Sequence, residues 1–138
     1  MSDSCTVLVI DDDPDVRDLL QMALEEWGYR VLCAADGDTG IARSLNDNPD
    51  LIILDMMMPR VSGFAVLQRL KQQHGLEVPI IMLSAIESDH QRAYAEFLGA
   101  ELFLMKPVRP LELLQYVRRL CPLQARDRVD EPVAILDE

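Results

Sequence analysis

Five short apolar runs, Thr6 to Ile10, Arg30 to Ala34, Leu51 to Leu54, Pro79 to Leu83 and Leu102 to Met105, recur along the chain with space for a helix after each. Four are nearly unbroken, as strands buried on both faces must be, whereas Arg30 and Cys33 mark the second as an edge strand. Between the first two runs, Val16, Leu19, Leu20, Ala23, Leu24 and Trp27 follow the three-and-four spacing of one helix face. Ile41 with Leu45, Phe64 with Leu67 and Leu70, Tyr94 with Phe97 and Leu98, and Leu113 with Val117 and Leu120 mark four further helices. Pro14 and Pro110 suit first helical turns, Ser88 with Gln91 makes a capping box, and Gly28, Gly75 and Gly99 follow helix ends. Strict alternation of strand and helix predicts an α/β fold with a parallel sheet covered on both sides, one domain over residues 5–120. Beyond Leu120 the periodicity stops, and residues 121–138 read as a tail or linker in which Pro132 to Leu136 is apolar enough to dock.

In such a sheet, ligands bind beyond the carboxyl ends of the strands, where strand order reverses. The first run enters three consecutive carboxylates, Asp11, Asp12 and Asp13. Asp55 follows the third run, Ser84 the fourth and Lys106 the fifth. Asp13, before Pro14, is most simply a helix cap. Taken singly, Asp11 and Asp12 have a turn or cap alternative, Ser84 a strand-end hydroxyl satisfied by backbone, and Lys106 a solvated charge. Their convergence gives them a shared purpose. Two carboxylates ~4 Å apart repel by roughly 4 kcal/mol at an effective dielectric near 20, so the cluster needs a cation. With oxygen donors alone at the strand ends, a hard ion is expected, magnesium being the natural choice. Asp55 then suits attack on phosphorus as a carboxylate nucleophile, with Lys106 and Ser84 stabilising phosphoryl oxygens and an aspartyl phosphate as product.

Composition narrows the partners. A formal net charge of -11 makes direct binding to a nucleic-acid backbone unexpected. Three cysteines without metal-site spacing read as thiols of a reducing cytoplasm, and no apolar run approaches a membrane span. His74 and His90 read as surface residues, and Met56 to Met58 as loop and core filler.

The acid pair Asp11 and Asp12, Asp55 followed by Met58 and Pro59, Gly63, Ser84 followed by Ala85, and Lys106 followed by Pro107 together resemble the receiver domain of bacterial two-component response regulators. The resemblance implies a flavodoxin-like doubly wound (βα)5 sandwich of strand order 2-1-3-4-5, an order for which a chemotaxis receiver is a standard example. It implies that Asp55 is the phosphoacceptor, that Asp12 and Asp55 bind Mg2+ directly with the Met57 backbone carbonyl, and that Asp11 acts largely through water. Lys106 would pair with Asp55 or its phosphoryl group, and the bond to Pro107 is cis in many relatives. Phe103 stands at the family's switch aromatic and would turn into space freed by Ser84, reshaping the surface of the fourth helix, fifth strand and fifth helix. A core role is its alternative. The implied phosphodonor is a histidine kinase or histidine phosphotransfer protein, and the implied target is a downstream protein or output domain.

Two departures qualify the resemblance. Relatives that dimerise through the fourth and fifth helices often begin the fifth strand with paired acids, where this chain has Glu101 and Leu102; a homodimer stays open, but that charged pattern is in doubt. Met57 and Ile86 are apolar where some fast-hydrolysing relatives orient water with polar groups, so slow loss of phosphate is expected. The competing functions are a receiver-like binding module that takes no phosphate and a magnesium-dependent aspartyl-phosphate hydrolase. Such hydrolases usually carry the nucleophile on the first strand, with a second acid two residues later. The expected protein modifies itself and is not a turnover enzyme.

Overall fold

The computed structural model describes residues 5–123. Strands β1 (Thr6–Ile10), β2 (Arg30–Ala34), β3 (Leu51–Asp55), β4 (Ile80–Ser84) and β5 (Leu102–Met105) alternate with helices α1 (Pro14–Glu26), α2 (Gly37–Asn46), α3 (Gly63–Gln68), α4 (Asp89–Leu98) and α5 (Pro110–Leu120). All strand pairs are parallel, in the order β2-β1-β3-β4-β5. The predicted flavodoxin-like α/β architecture is therefore the observed one. The reversal of strand order falls between β1 and β3, whose ends are aligned by the pairing of Ile10 with Leu54.

Period-two side-chain alternation divides the core. Val7, Val9, Ile53, Ile81 and Leu83 pack with Leu20, Leu24, Leu113 and Val117, under α1 and α5. Leu8, Ile10, Ile52, Leu54 and Met82 pack with Val66, Leu67, Leu70 and Leu98 on the opposite face. The expected edge strand β2 is only partly covered. Asp13 caps α1 by accepting from the Asp15 amide, and Pro14 opens that helix. Gly99 ends α4 at φ +112°, a left-handed conformation that glycine adopts without a Cβ penalty. No helix among the described residues is long and apolar enough to cross a membrane.

Several local expectations are modified. Leu19, Tyr94 and Phe97, assigned to buried helix faces by spacing, are exposed, and the buried stripe of α4 is Ala95 and Leu98. Only half of the capping box forms: Ser88 Oγ accepts from the Gln91 amide, while Gln91 Oε1 is buried without a hydrogen-bond partner among the described residues. The third helix widens into a π-helical segment, Arg69–Gln73, closed by the His74 amide bonding to the Arg69 carbonyl. There Lys71 Nζ donates to the Val78 carbonyl at 2.7 Å, tying the helix end to the chain entering β4. Packing also continues past the expected limit at Leu120, because Cys121 and Leu123 are buried in the α1–α5 core. The apolar stretch Pro132 to Leu136 lies outside the described residues.

One contact in this framework fixes the site directly. Gly63, the first residue of α3, lies so close to the end of β3 that a Cβ there would strike the Asp55 carbonyl oxygen and come within 2.7 Å of Met56 Cα. Its amide also bonds the Met56 carbonyl at 2.8 Å. Because both obstacles are backbone, Gly63→Ala should lower stability by about 2 kcal/mol or more, measured by urea unfolding.

Candidate functional site at the carboxyl ends of the strands

Three strand ends bring the charged residues together. The Asp11 amide bonds the Ala34 carbonyl, so the chain holds its extended course one residue beyond β1. Asp55 is the last residue of β3 and pairs with Leu83, and the Lys106 amide bonds the Ser84 carbonyl one step beyond β5. Lys106 Nζ lies 3.0 Å from Asp11 Oδ2 and 3.1 Å from Asp55 Oδ1. Asp11 and Asp55 are almost wholly buried, at 1% and 4% exposure, whereas Asp12 faces solvent. One carboxylate oxygen from each of the three acids lies within 4.8 Å of the others.

Local hydrogen bonds hold the acids in place. Asp11 Oδ1 accepts from the Asp13 amide at 2.9 Å, a short Asx turn that fixes the Asp11 side chain. Arg17, one turn into α1, donates Nη1 to the Asp11 carbonyl at 2.7 Å. Nothing in the sequence singled out Arg17, since an arginine in a helix ordinarily reads as solvated.

The other expected residues occupy distinct places. Ser84 is fully buried, and its hydroxyl is closed on one residue: it donates to the Ile86 carbonyl at 2.9 Å and accepts from the Ile86 amide at 3.0 Å. Phe103 is 3% exposed and packs in the core beneath α3 and α4, so any switching movement starts from a ring already inside. Arg92 of α4, a second residue the sequence did not mark, donates Nη1 to the Phe103 carbonyl at 2.8 Å and places its guanidinium 5.1 Å from the ring centroid. Met57 lies on the loop after β3 with its side chain largely exposed, while Met56 and Met58 are buried. The Lys106–Pro107 peptide bond is cis.

The charge balance is incomplete. Among the described residues three carboxylates share one ammonium, an arrangement that suits a small divalent cation, and the all-oxygen donor set fits magnesium better than a softer metal. Without that ion, burial and the neighbouring Asp11 charge push the Asp55 carboxyl up to about 6, against the pull of Lys106. Burial works against the Lys106 ammonium, but its bonds to Asp11 and Asp55 prevail and raise it above the ordinary lysine value.

A family model of the response regulator receiver domain matches residues 7–118. The DNA-binding dual master transcriptional regulator RpaA of Synechocystis is 40% identical over 126 residues, 91% of this chain and 52% of the relative. The alkaline phosphatase synthesis transcriptional regulatory protein PhoP of Bacillus subtilis is 37% identical over 114 residues, 83% of this chain and 47% of the relative. The chain thus spans about half the length of these relatives. Among solved structures, the Vibrio cholerae chemotaxis protein CheY4 superposes with a TM-score of 0.80 at 31% identity, covering 85% of this chain and 98% of that one. The receiver domain of the Francisella response regulator 1452 gives 0.81 at 32% identity, with 85% and 96% covered.

A pH dependence follows from the raised Asp55 carboxyl. An unfolded aspartate titrates near ~4, and the folded one near about 6. Within that window the folded metal-free chain holds the extra proton, so this group's contribution to stability falls as pH rises. With chelator at neutral pH, Asp55→Asn should exceed wild type in stability by on the order of 2 kcal/mol. The difference should vanish toward the acid end of the window, as read from urea midpoints.

Proposed function

The chain belongs to the response regulator receiver domain family, and from that premise we propose that Asp55 accepts a phosphoryl group from a phosphohistidine on a histidine kinase or phosphotransfer protein. One observation carries the proposal: a buried carboxylate at the end of β3 is held 3.1 Å from a lysine ammonium and beside two further acids. An Asp55 oxygen attacks phosphorus, the phosphorus–nitrogen bond breaks, and the imidazole leaves and takes up a proton. The product is an acyl phosphate on Asp55.

The chain's own residues orient and neutralise. Lys106 already touches Asp55 and shifts to the phosphoryl oxygens as they arrive. Asp11, Asp12 and Asp55, with the Met57 backbone carbonyl, would hold Mg2+, which when bound supplies positive charge to the phosphoryl oxygens. The donor approaches beside α1, where exposed Leu19 lines a cleft of about 330 Å³ together with Val16, Lys106 and Pro107.

The phosphoryl group carries roughly -1.5 to -2 charges in place of the single carboxylate charge of Asp55 and brings new acceptor oxygens, which draw the Ser84 hydroxyl away from Ile86. The loop from Ser84 to Ile86 then rearranges, and with it the surface of α4, β5 and α5. That surface controls a downstream protein or an output domain. The chain's strong negative charge disfavours direct contact of this domain with nucleic acid.

Intact-mass measurement after treatment with acetyl phosphate and magnesium should show one added phosphoryl group on wild type and none on Asp55→Asn. Equal labelling of both would overturn the assignment. The side chains of Met57 and Ile86 are exposed and apolar, so neither can orient an attacking water. The phosphate should accordingly persist for minutes rather than seconds, and a polar residue at either position should shorten its lifetime. Following phosphate release with magnesium present checks both expectations.

A further inference from the structure

Arg92 grips Phe103 twice, and the phosphorylation chemistry requires neither contact. Its guanidinium donates to the Phe103 carbonyl at 2.8 Å and lies 5.1 Å from the centroid of the same residue's ring. One side chain of α4 therefore fixes both the backbone of β5 and the position of its aromatic. On the other side the ring packs in the core beneath α3 and α4, leaving it 3% exposed. The ring is enclosed between core and cation.

We propose that Arg92 is a positioning residue for the switch, a latch that already holds Phe103, before Asp55 carries phosphate, in the buried position toward which the ring would turn on phosphorylation. The proposal rests on the phosphorylation reading for its purpose, though the latch itself is a property of the resting chain.

The physical case is that an arginine bond to a carbonyl is charge-assisted, and that a guanidinium facing an aromatic ring adds attraction where water is partly excluded. The two contacts share one side chain, so moving the ring outward breaks the second and disturbs the first. Removing them should change the buried-to-exposed ratio of the ring by roughly tenfold. Arginine is also specific here, because a lysine retains the charge but not the planar fork. In the sequence β5 therefore carries an aromatic whose state depends on a residue eleven positions earlier, on the preceding helix.

The measurement uses the chain's three phenylalanines, Phe64, Phe97 and Phe103, labelled with carbon-13 in the ring. Relaxation by a soluble paramagnetic agent then reports the exposure of each ring, with Phe103 assigned by Phe103→Leu. Without phosphodonor, Arg92→Met should raise relaxation at Phe103 several-fold and leave Phe64 near its wild-type value, with Arg92→Lys intermediate. Phe103 as protected in Arg92→Met as in wild type would overturn the latch. An equal rise at Phe64 would also overturn it, since that reports general loosening of α3 and α4. Should Arg92→Met fail to fold, Arg92→Lys supplies the same comparison with the charge retained.

In the second arm, Asp55 labelling by acetyl phosphate should slow several-fold in Arg92→Met, because an unlatched ring lowers the fraction of chains ready to respond. Unchanged labelling would overturn the coupling. Wild type that takes no phosphate at all would overturn the phosphorylation reading alone, since the ring measurement needs no donor.

Discussion

Lys106 between Asp11 and Asp55 is the interaction around which the rest of the molecule is arranged. Two nearly buried carboxylates at the ends of adjacent strands repel each other in a medium where water screens poorly. A single ammonium reaching both at about 3 Å makes the pair tolerable without neutralising it once Asp12 is included. The remaining negative charge strains the fold, and a divalent cation held by the three acids would offset it. The elevated Asp55 carboxyl, pushed up by burial first and by Asp11 second, is the titration signature of that tension. Stabilising the resting protein by removing an acid would therefore remove chemistry, the usual conflict at a functional site.

The topology makes this arrangement available. In the order β2-β1-β3-β4-β5, β1 and β3 are neighbours whose connections leave on opposite faces, so the acids at their ends meet in a crevice that no crossover covers. Lys106 comes from β5, two strands from Asp55, and spans the end of β4 to reach it. The backbone is pinned where the acids leave the sheet: the Asp11 amide by Ala34, the Met56 amide by Leu83, and the start of α3 by the close approach of Gly63. A side chain at Gly63 would displace the carbonyl of Asp55 itself, which accounts for glycine where many residues could otherwise begin a helix.

Much of this was legible in the sequence because it depends on periodicity and on strand ends. Unbroken apolar runs identified buried parallel strands, and the residues just after them identified Asp11, Asp12, Asp55, Ser84 and Lys106 before any contact was known. The less legible features depend on side-chain direction across the fold. Tyr94 and Phe97 have apolar spacing yet stand exposed, because α4 offers the sheet only its Ala95 and Leu98 stripe. The π-helical end of the third helix has no periodic signal, since Leu70 is buried in either geometry. Arg17 and Arg92 were invisible for a different reason. An arginine matters here through the backbone carbonyl it reaches, and carbonyls carry no residue-type signal in a sequence.

Strand parity explains why the proposed phosphorylation would need a relay. Asp11 and Asp55 follow the alternation of Val7, Val9 and Ile53, which face α1 and α5, and Lys106 follows that of Leu104. Ser84 and Phe103 follow the opposite alternation with Met82, toward α3 and α4. The charged trio and the expected switch pair thus belong by register to different faces of one sheet. A change at Asp55 reaches the second face only around the strand ends, and β4 is the strand between β3 and β5. Ser84 occupies that end, and its hydroxyl is committed to the Ile86 backbone on both its donor and acceptor sides. Drawing that hydroxyl toward a new anion releases two hydrogen bonds in the loop leading into α4, the helix that carries Arg92. The loop and the arginine then lie on one mechanical path, from a strand end to a helix to the ring of the next strand, and that path needs no movement of the sheet between them.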